Sequence, residues 1–252
     1  MLTPRAFLIV CPILFLAGFI DSVGGGGGLL SLPAFMLVGL PYPIATGCNK
    51  LSCFFGIALS TGRFLKKGFL NLKLAIPTIF LAIAGSALGA KFMLVMDNAF
   101  MESLMLFLIP ISAIVVLMPG TFRSAPKWES KPNQKVWLST MAVALVMGFY
   151  CGFYGPGSGT LMILAFTIFS GMTTPQANAH AKVINLTSII TALSVLLKET
   201  TLPLLLCATC AVCHMLGSYI GSGLAMKNNA KVTRPILLFV LALLYLKIMG
   251  IF

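Results

Sequence analysis

The chain has 252 residues, of which 59% are hydrophobic and only 9% are charged, and its mean hydropathy is +1.03. Soluble domains carry about 25% charged residues, so this composition excludes an ordinary soluble protein and indicates a membrane protein. A helix needs roughly 20 apolar residues to span a bilayer, so the length allows about eight to ten segments and no separate catalytic domain. The net charge of +12 lies mostly in short loops, where it sets orientation, and nucleic acid is not an expected partner.

Each half of the chain contains five apolar segments. In the first half they lie at 6–23, 29–40, 44–62, 70–96 and 99–118, and in the second at 136–153, 160–170, 176–197, 202–226 and 232–251. We predict one all-α integral membrane domain with a first repeat (1–120), a cytoplasmic linker (121–135) and a second repeat (136–252). Each repeat has about four transmembrane helices and a short half-helix. The first segment belongs to the repeat and is not expected to be a signal peptide.

A sequence cassette occurs twice in the chain. Among the residues that recur with the same identity 132 residues later are Pro43 as Pro175, Ala45 as Ala177, Lys50 as Lys182 and Gly85 as Gly217. Each copy breaks an apolar run with glycines, at 24–28 and 155–159, and then places a lysine inside the next apolar run. Lysine is costly inside a bilayer, so two lysines at matching positions indicate function. The chain is a duplicated unit.

The apolar segment after each glycine break is too short to cross a membrane. About a dozen residues, each rising about 1.5 Å, cannot span a hydrocarbon core of about 30 Å. The backbone groups that the breaks release must be buried in protein or line a wet cavity. Short, glycine-interrupted segments at matching positions of two halves indicate the binding site of a transporter.

The basic loops predict the orientation of the two halves, because such loops stay on the cytoplasmic side. The basic loop of the first half lies between its third and fourth segments, whereas that of the second half lies between its fourth and fifth. The two repeats should therefore be inverted relative to each other, with both chain termini on the outer side. The basic residues are Arg63, Lys66, Lys67 and Lys73 in the loop of the first half, Arg123, Lys127, Lys131 and Lys135 in the linker, and Lys227, Lys231 and Arg234 in the loop of the second half.

The two cassettes together provide groups that would bind a small anion. The glycine breaks leave unpaired backbone N–H groups and partial positive charge at the N-termini of the short helices. Lys50 and Lys182 each share a helix face with polar side chains, and snorkelling to the interface, the alternative, needs a long reach. The candidate substrate-binding residues are Gly26, Gly27, Gly28, Thr46, Asn49 and Lys50 in the first half, and Gly157, Ser158, Gly159, Thr160, Asn178, Lys182, Asn185 and Ser188 in the second.

Asp21 is the carboxylate that lies beside the glycine breaks. Two interpretations stay open: it pairs with Lys50 and neutralises a buried charge, or it binds a proton and couples transport to an ion gradient. On the second interpretation Asp21 is the candidate ion-coupling residue, and the coupling ion is a proton or sodium.

Histidines and cysteines offer alternatives. His180 lies two residues before Lys182 and so on another face, where a packed histidine is expected. The run Cys210-Ala-Val-Cys213-His214 has the pattern of c-type haem attachment, but it precedes small residues at 217–221 that favour close helix packing. Thiol chemistry near the site stays open through Cys48, Cys53 and Cys151. The sequence shows no enzyme, ATP-binding or metal motif, so we expect neither catalysis nor a cofactor.

The motifs resemble the sulfite exporter TauE/SafE family, also called the toluene sulfonate uptake permease family. The resemblance covers nearly the whole chain and rests on these runs: Gly18-Phe-Ile-Asp21, Asn49-Lys50-Leu51, Gly148-Phe-Tyr, Gly155-Pro-Gly157-Ser-Gly159 and His180-Ala-Lys182-Val-Ile-Asn185. It implies a multi-pass permease of the bacterial inner membrane for small anions, often sulfur-containing. Cys151 stands where the family's second motif has aspartate, and Cys48 where the first half often has threonine.

We therefore interpret the chain as a secondary-active permease of small anions, such as sulfite, sulfoacetate or other sulfonates and carboxylates, working by alternating access. Its expected partners are the anionic substrate, the lipid bilayer and a coupling ion, with a homodimer as an option. An anion channel, and less favourably a membrane thiol or haem redox protein, are the alternatives.

Overall fold

The structure, a computed structural model, describes residues 4–97, 99–101, 103, 104, 107 and 134–226. Most of the predicted segment 99–118, most of the linker 121–135 and all of the segment 232–251 lie outside the described residues. The basic residues from Arg123 to Lys131, and those from Lys227 to Arg234, lie outside them as well.

The described residues form helices and contain no strand, which confirms the all-α class. The helices are α1 (Pro4–Gly24), α2 (Gly28–Leu37), α3 (Tyr42–Lys66), α4 (Leu72–Val95), α5 (Gln134–Phe153), α6 (Ser158–Phe169), α7 (Thr174–Glu199) and α8 (Leu204–Met226). Five of them, α1, α4, α5, α7 and α8, are long and apolar enough to cross a membrane. The segments after the glycine breaks are short, as predicted, with 10 residues in α2 and 12 in α6.

The prolines of the cassette start the two helices that carry the lysines. Pro43 lies in the first turn of α3 and Pro175 in the first turn of α7. Proline is favoured there because its missing N–H has no intrahelical partner and its φ is already helical. In α7 the start is strengthened by a capping box between Thr173 and Gln176. The repeated proline therefore starts the helix at the same point in each half, and each lysine lies seven residues after it.

The two halves exchange packing partners. Helix α1 packs against α8, and α4 packs against α5, while α3 packs against both α7 and α8. The small residues make the close approaches: Gly217 and Gly221 abut the backbone of α1 at Phe15 and Phe19, and Gly85 abuts that of α5. This confirms the predicted close packing at 217–221. Each half thus supplies the surface on which a helix of the other half packs.

The outer surface of the helices is apolar. Leu8, Phe80, Val95, Leu138 and Leu205 have exposed fractions of 68% to 78%. Exposed apolar surface of this extent on the long helices fits contact with lipid chains. Many polar residues of α3 and α7, among them Asn49, Lys50, Asn178 and Lys182, are instead buried inside the bundle.

Candidate functional site

The two glycine breaks meet at the centre of the molecule. Gly25, with φ of +75°, lies so close to Gly159 that a Cβ at either residue would meet the backbone of the other. Gly28, the first residue of α2, lies against Pro156 of the second break. Only residues without a side chain allow two backbone segments to cross this closely. The N-termini of α2 and α6 are therefore brought to one place.

A cavity of about 50 Å³ lies beside this crossing. Because one water molecule requires about 10–15 Å³, the cavity has room for a few waters or a small anion. Seven predicted site residues line it: Asp21, Gly28, Asn49, Lys50, Gly157, Ser158 and Asn185. Six residues that were not in the predicted site complete the lining: Gly25, Cys53, Ile57, Cys151, Gly155 and Ile189.

Lys50 is a buried cation at the cavity wall, with an exposed fraction of 5%. Its Nζ donates a hydrogen bond to the main-chain oxygen of Cys151 at 2.7 Å, near the end of α5. A cation at a helix C-terminus is stabilised by the partial negative charge of the exposed carbonyls. An ammonium has three N–H donors, so two remain for a ligand in the cavity.

Lys182 does not line the cavity and lies behind Asp21. Its Nζ contacts the Asp21 carboxylate at 3.1 Å and the Asp21 main-chain oxygen at 3.0 Å. Of the two interpretations of Asp21, the one that pairs it with Lys50 is therefore wrong, because Lys182 is the partner. The physical reason is the exchange between halves, because α7 of the second half approaches the C-terminal end of α1.

Two further predicted residues cap α1 together with Lys182. The Asn178 side chain donates to the main-chain oxygens of Ser22 at 3.1 Å and Val23 at 3.3 Å. The Thr160 hydroxyl donates to the main-chain oxygen of Gly24 at 2.7 Å. These bonds satisfy carbonyls that the end of a helix leaves without intrahelical partners. In this structure Asn178 and Thr160 thus hold the broken helix in place.

The two asparagines at the cavity have their oxygens already bonded. Asn49 Oδ1 accepts a hydrogen bond from the Cys53 thiol at 3.3 Å. Asn185 Oδ1 accepts from the Ser158 hydroxyl and from the Cys151 thiol, both at 3.1 Å. An amide has a separate pair of N–H donors on its nitrogen. With the acceptor side occupied, both asparagines offer donors to the cavity, as an anion requires.

The chain matches the model of the family described as sulfite exporter TauE/SafE over residues 10–248. The chain belongs to this family. A probable membrane transporter protein, ORF9 of a Sinorhizobium species, is 30% identical over 97% of this chain and 92% of its own length. Another from Haemophilus influenzae is 31% identical over 88% and 86%, and YfcA of Escherichia coli K12 is 30% identical over 99% and 91%. No solved structure matches the chain significantly.

The remaining predicted site residues of this TauE/SafE chain are not among the residues that line the cavity. Gly27 packs against Ala17 and Asp21, and Gly26 accepts a hydrogen bond from the amide of Leu29. Gly159 packs against the first glycine break. Thr46 and Ser188 are fully buried side chains whose hydroxyl oxygens have no hydrogen-bond partner among the described residues.

Pairing between the halves could have found the lining residues that the sequence interpretation omitted. Ile57 and Ile189 lie 132 residues apart, one helical turn beyond Cys53 and Asn185 respectively. Gly25 in the first break and Gly155 in the second both have positive φ. Cys151 stands at the position equivalent to Asp21. In a duplicated chain, a residue that lines the cavity predicts that the equivalent residue of the other half lines it too.

The histidines lie elsewhere in the TauE/SafE bundle. His180 is buried, contacts the Phe166 ring and binds the Gln176 main-chain oxygen, as expected of a packed histidine. His214 is fully buried, and its ring occupies the space that Gly56 leaves open. Within the described ranges, no group of three His, Cys, Asp or Glu side chains could hold a metal ion.

Proposed function

We propose that this protein is a secondary-active transporter that carries a small anion across the bacterial inner membrane by alternating access. The TauE/SafE relatives are named probable membrane transporter proteins, which supports transport as the activity. Alternating access would move the two halves against each other about the cavity where their glycine breaks cross.

The observation that carries the proposal is the set of hydrogen-bond donors around the cavity. Lys50 presents a charged ammonium, and Asn49 and Asn185 present amide donors because their oxygens are bonded elsewhere. Gly28 and Ser158 place the N-termini of two short helices at the same wall. Donors, a cation and helix N-termini together favour an anion over a cation or a neutral solute.

The charged residues and the asparagines at the cavity have separate roles in this proposal. Lys50 provides the charge that meets the substrate, Asn49 and Asn185 orient it, and the amides of the two glycine breaks bind its oxygens. Lys182 holds Asp21 in place. Asp21 is the residue at which a proton or sodium ion couples its gradient to anion transport.

The substrate class comes from the family. Because the matched model describes a sulfite exporter, small sulfur oxyanions and short organosulfonates or carboxylates are the first candidates. The donors suit such a head group, since its oxygens accept several hydrogen bonds at once. The small cavity favours a compact anion over a large one.

We also propose that the repeats have inverted orientations, with both chain termini on the outer side. The sequence-equivalent pairs around the cavity, such as Ile57 with Ile189, support a twofold relation between the halves. The exchanged packing of α1 on α8 and α4 on α5 supports it too, because α1 is equivalent to α5 and α4 to α8.

Transport by purified protein in liposomes tests the proposal. We expect uptake of at least one anion from a panel of sulfite, methanesulfonate, sulfoacetate and acetate. Lys50→Gln should weaken binding by about 10- to 100-fold, the effect of losing a hydrogen bond to a charged group. Lys66→Gln, on the exposed end of the same helix, is the matched control. Wild-type rates after Lys50→Gln contradict the proposed site, and single-channel currents would indicate a channel.

A further inference from the structure

In the part of the chain that the structure describes, three charged side chains lie at or next to the cavity. Lys50 and Asp21 line it, and Lys182 lies behind Asp21 and forms an ion pair with it. All three are nearly inaccessible to solvent, with exposed fractions between 1% and 5%. Solvent therefore screens these charges little, and their sum acts on whatever occupies the cavity. The Asp21–Lys182 pair contributes no net charge, which leaves Lys50 as the one full, unbalanced charge among the described side chains at the cavity, beside the partial positive charges of the two helix N-termini.

We propose that the site selects a singly charged anion, because Lys182 is neutralised by Asp21 and, among the described residues, only Lys50 brings an unpaired charged side chain to the substrate. The inference rests on the proposed function and adds the charge of the substrate to it. A monoanion would be balanced by Lys50 alone. A dianion would bring a second negative charge into a buried site that already holds the Asp21 carboxylate, without a cation to balance it.

The apolar part of the wall supports the same conclusion. Ile57 and Ile189 line the cavity together with the thiol-bearing residues Cys53 and Cys151. The two thiols direct their donor capacity to the asparagine oxygens, so they do not solvate a ligand. This wall suits a small apolar substituent and offers no hydrogen-bond donor to a second charged group. The expected ligand has one anionic head towards Lys50 and an uncharged remainder.

Methanesulfonate and sulfate form a matched pair of probes for the substrate charge. Both are tetrahedral and similar in size, but a methyl group in the first replaces a charged oxygen in the second. Binding to the purified full-length protein would be measured by calorimetry, and transport in liposomes. We expect wild-type protein to bind methanesulfonate at least about ten-fold more tightly than sulfate, as one unbalanced charge requires.

Asp21→Asn separates the charge effect from ordinary differences in hydration between the two probes. The substitution keeps the shape of the side chain and frees the Lys182 ammonium, so the charge of the site rises by one. A unit charge at about 6 Å and an effective dielectric constant of about 20 changes an affinity by roughly 100-fold. The ratio of sulfate to methanesulfonate affinity should rise by roughly 10- to 100-fold. Asp97→Asn removes an exposed carboxylate and should leave the ratio unchanged.

A double variant checks that net charge is responsible and covers the event that Asp21→Asn does not fold. Lys182→Gln leaves Asp21 without its partner, so the site loses its net charge and methanesulfonate binding should fall at least about ten-fold. Asp21→Asn with Lys182→Gln restores one positive charge and should restore the wild-type preference. Loss of methanesulfonate binding in that double variant would show that Lys182 contacts substrate directly and would overturn the inference.

The outcomes separate the inference from the proposed function. Absence of binding and transport of every anion by folded wild-type protein contradicts the proposed function. Tight sulfate binding by the wild type, or an unchanged ratio in Asp21→Asn, contradicts the inference alone and leaves an anion transporter with a different charge balance.

Discussion

Lys50 and Lys182 occupy equivalent positions in the two halves, and each reaches the equivalent residue near the end of a broken helix in the other half. Lys50 donates to the main-chain oxygen of Cys151 at 2.7 Å, and Lys182 to that of Asp21 at 3.0 Å. The main-chain interaction is thus repeated, whereas the side chains differ. Asp21 adds a carboxylate that binds its lysine, and Cys151 adds a thiol that does not. The two lysines therefore make the same main-chain hydrogen bond, but only Lys182 has a carboxylate beside it.

The Asp21–Lys182 ion pair predicts an effect on stability. Lys182→Gln leaves a carboxylate buried without a partner, and removing one partner of a buried pair lowers the free energy of unfolding by about 3–5 kcal/mol. Thermal unfolding of the detergent-solubilised protein would measure the loss. Asp21→Asn with Lys182→Gln should recover most of it, because no unpaired charge remains. A double variant as unstable as Lys182→Gln would show that the ion pair is not the cause.

Replacing Asn185 and Asn178 by leucine should affect different properties, anion affinity in the first case and thermal stability in the second. Asn185 lines the cavity, whereas Asn178 caps the end of α1 through Ser22 and Val23. Asn185→Leu should weaken anion binding about ten-fold or more, since each lost bond to a charged ligand is worth about 1.5–3 kcal/mol. Asn178→Leu should mainly lower the melting temperature. Calorimetry and thermal unfolding on both variants measure the contrast, and equal losses of affinity would place Asn178 in the binding site as well.

Much of the site could be predicted from the sequence because its signals are local or repeated. The glycine breaks, the short helices after them and the two lysines all follow from composition and spacing. The partner of Asp21 could not be predicted, because spacing along one half says nothing about which lysine of the folded molecule it meets. The partner is Lys182 because α7 contacts the C-terminal end of α1. For the same reason Thr160 and Asn178 looked like ligands in the sequence, although they bond to the end of α1 in the structure.

The crossing of the two glycine breaks predicts a strict requirement for glycine at 159. A Cβ there would enter the backbone of Gly25, and two backbone segments cannot yield as a flexible side chain can. Gly159→Ala should lower stability by about 1–3 kcal/mol or more, the range for overpacking a close contact. Gly62→Ala is the control, since a Cβ at Gly62 meets nothing within 4 Å and the residue lies in α3. Similar melting temperatures for the two variants would contradict the close crossing.

If Asp21 is the coupling residue, replacing it should affect gradient-driven accumulation and anion exchange differently. If a proton or sodium ion acts through this carboxylate, Asp21→Asn should abolish accumulation of anion driven by an imposed proton or sodium gradient. Exchange of labelled for unlabelled anion should persist, because Lys50 and the asparagine donors are intact. Liposomes loaded for gradient-driven uptake and for counterflow measure the two activities separately. Full gradient-driven accumulation in the variant would assign coupling to another residue.

The inverted orientation predicts opposite exposure of two equivalent positions. Lys67 follows the end of α3 and Glu199 ends α7, 132 residues further on, and both side chains are exposed. Lys67→Cys and Glu199→Cys would be made in a background where Cys11 and Cys213, the two thiols that are not fully buried, are alanine. A membrane-impermeant maleimide added to intact cells should label position 199 and should reach position 67 only after permeabilisation. Labelling of both positions from the same side would show that the two repeats have the same orientation.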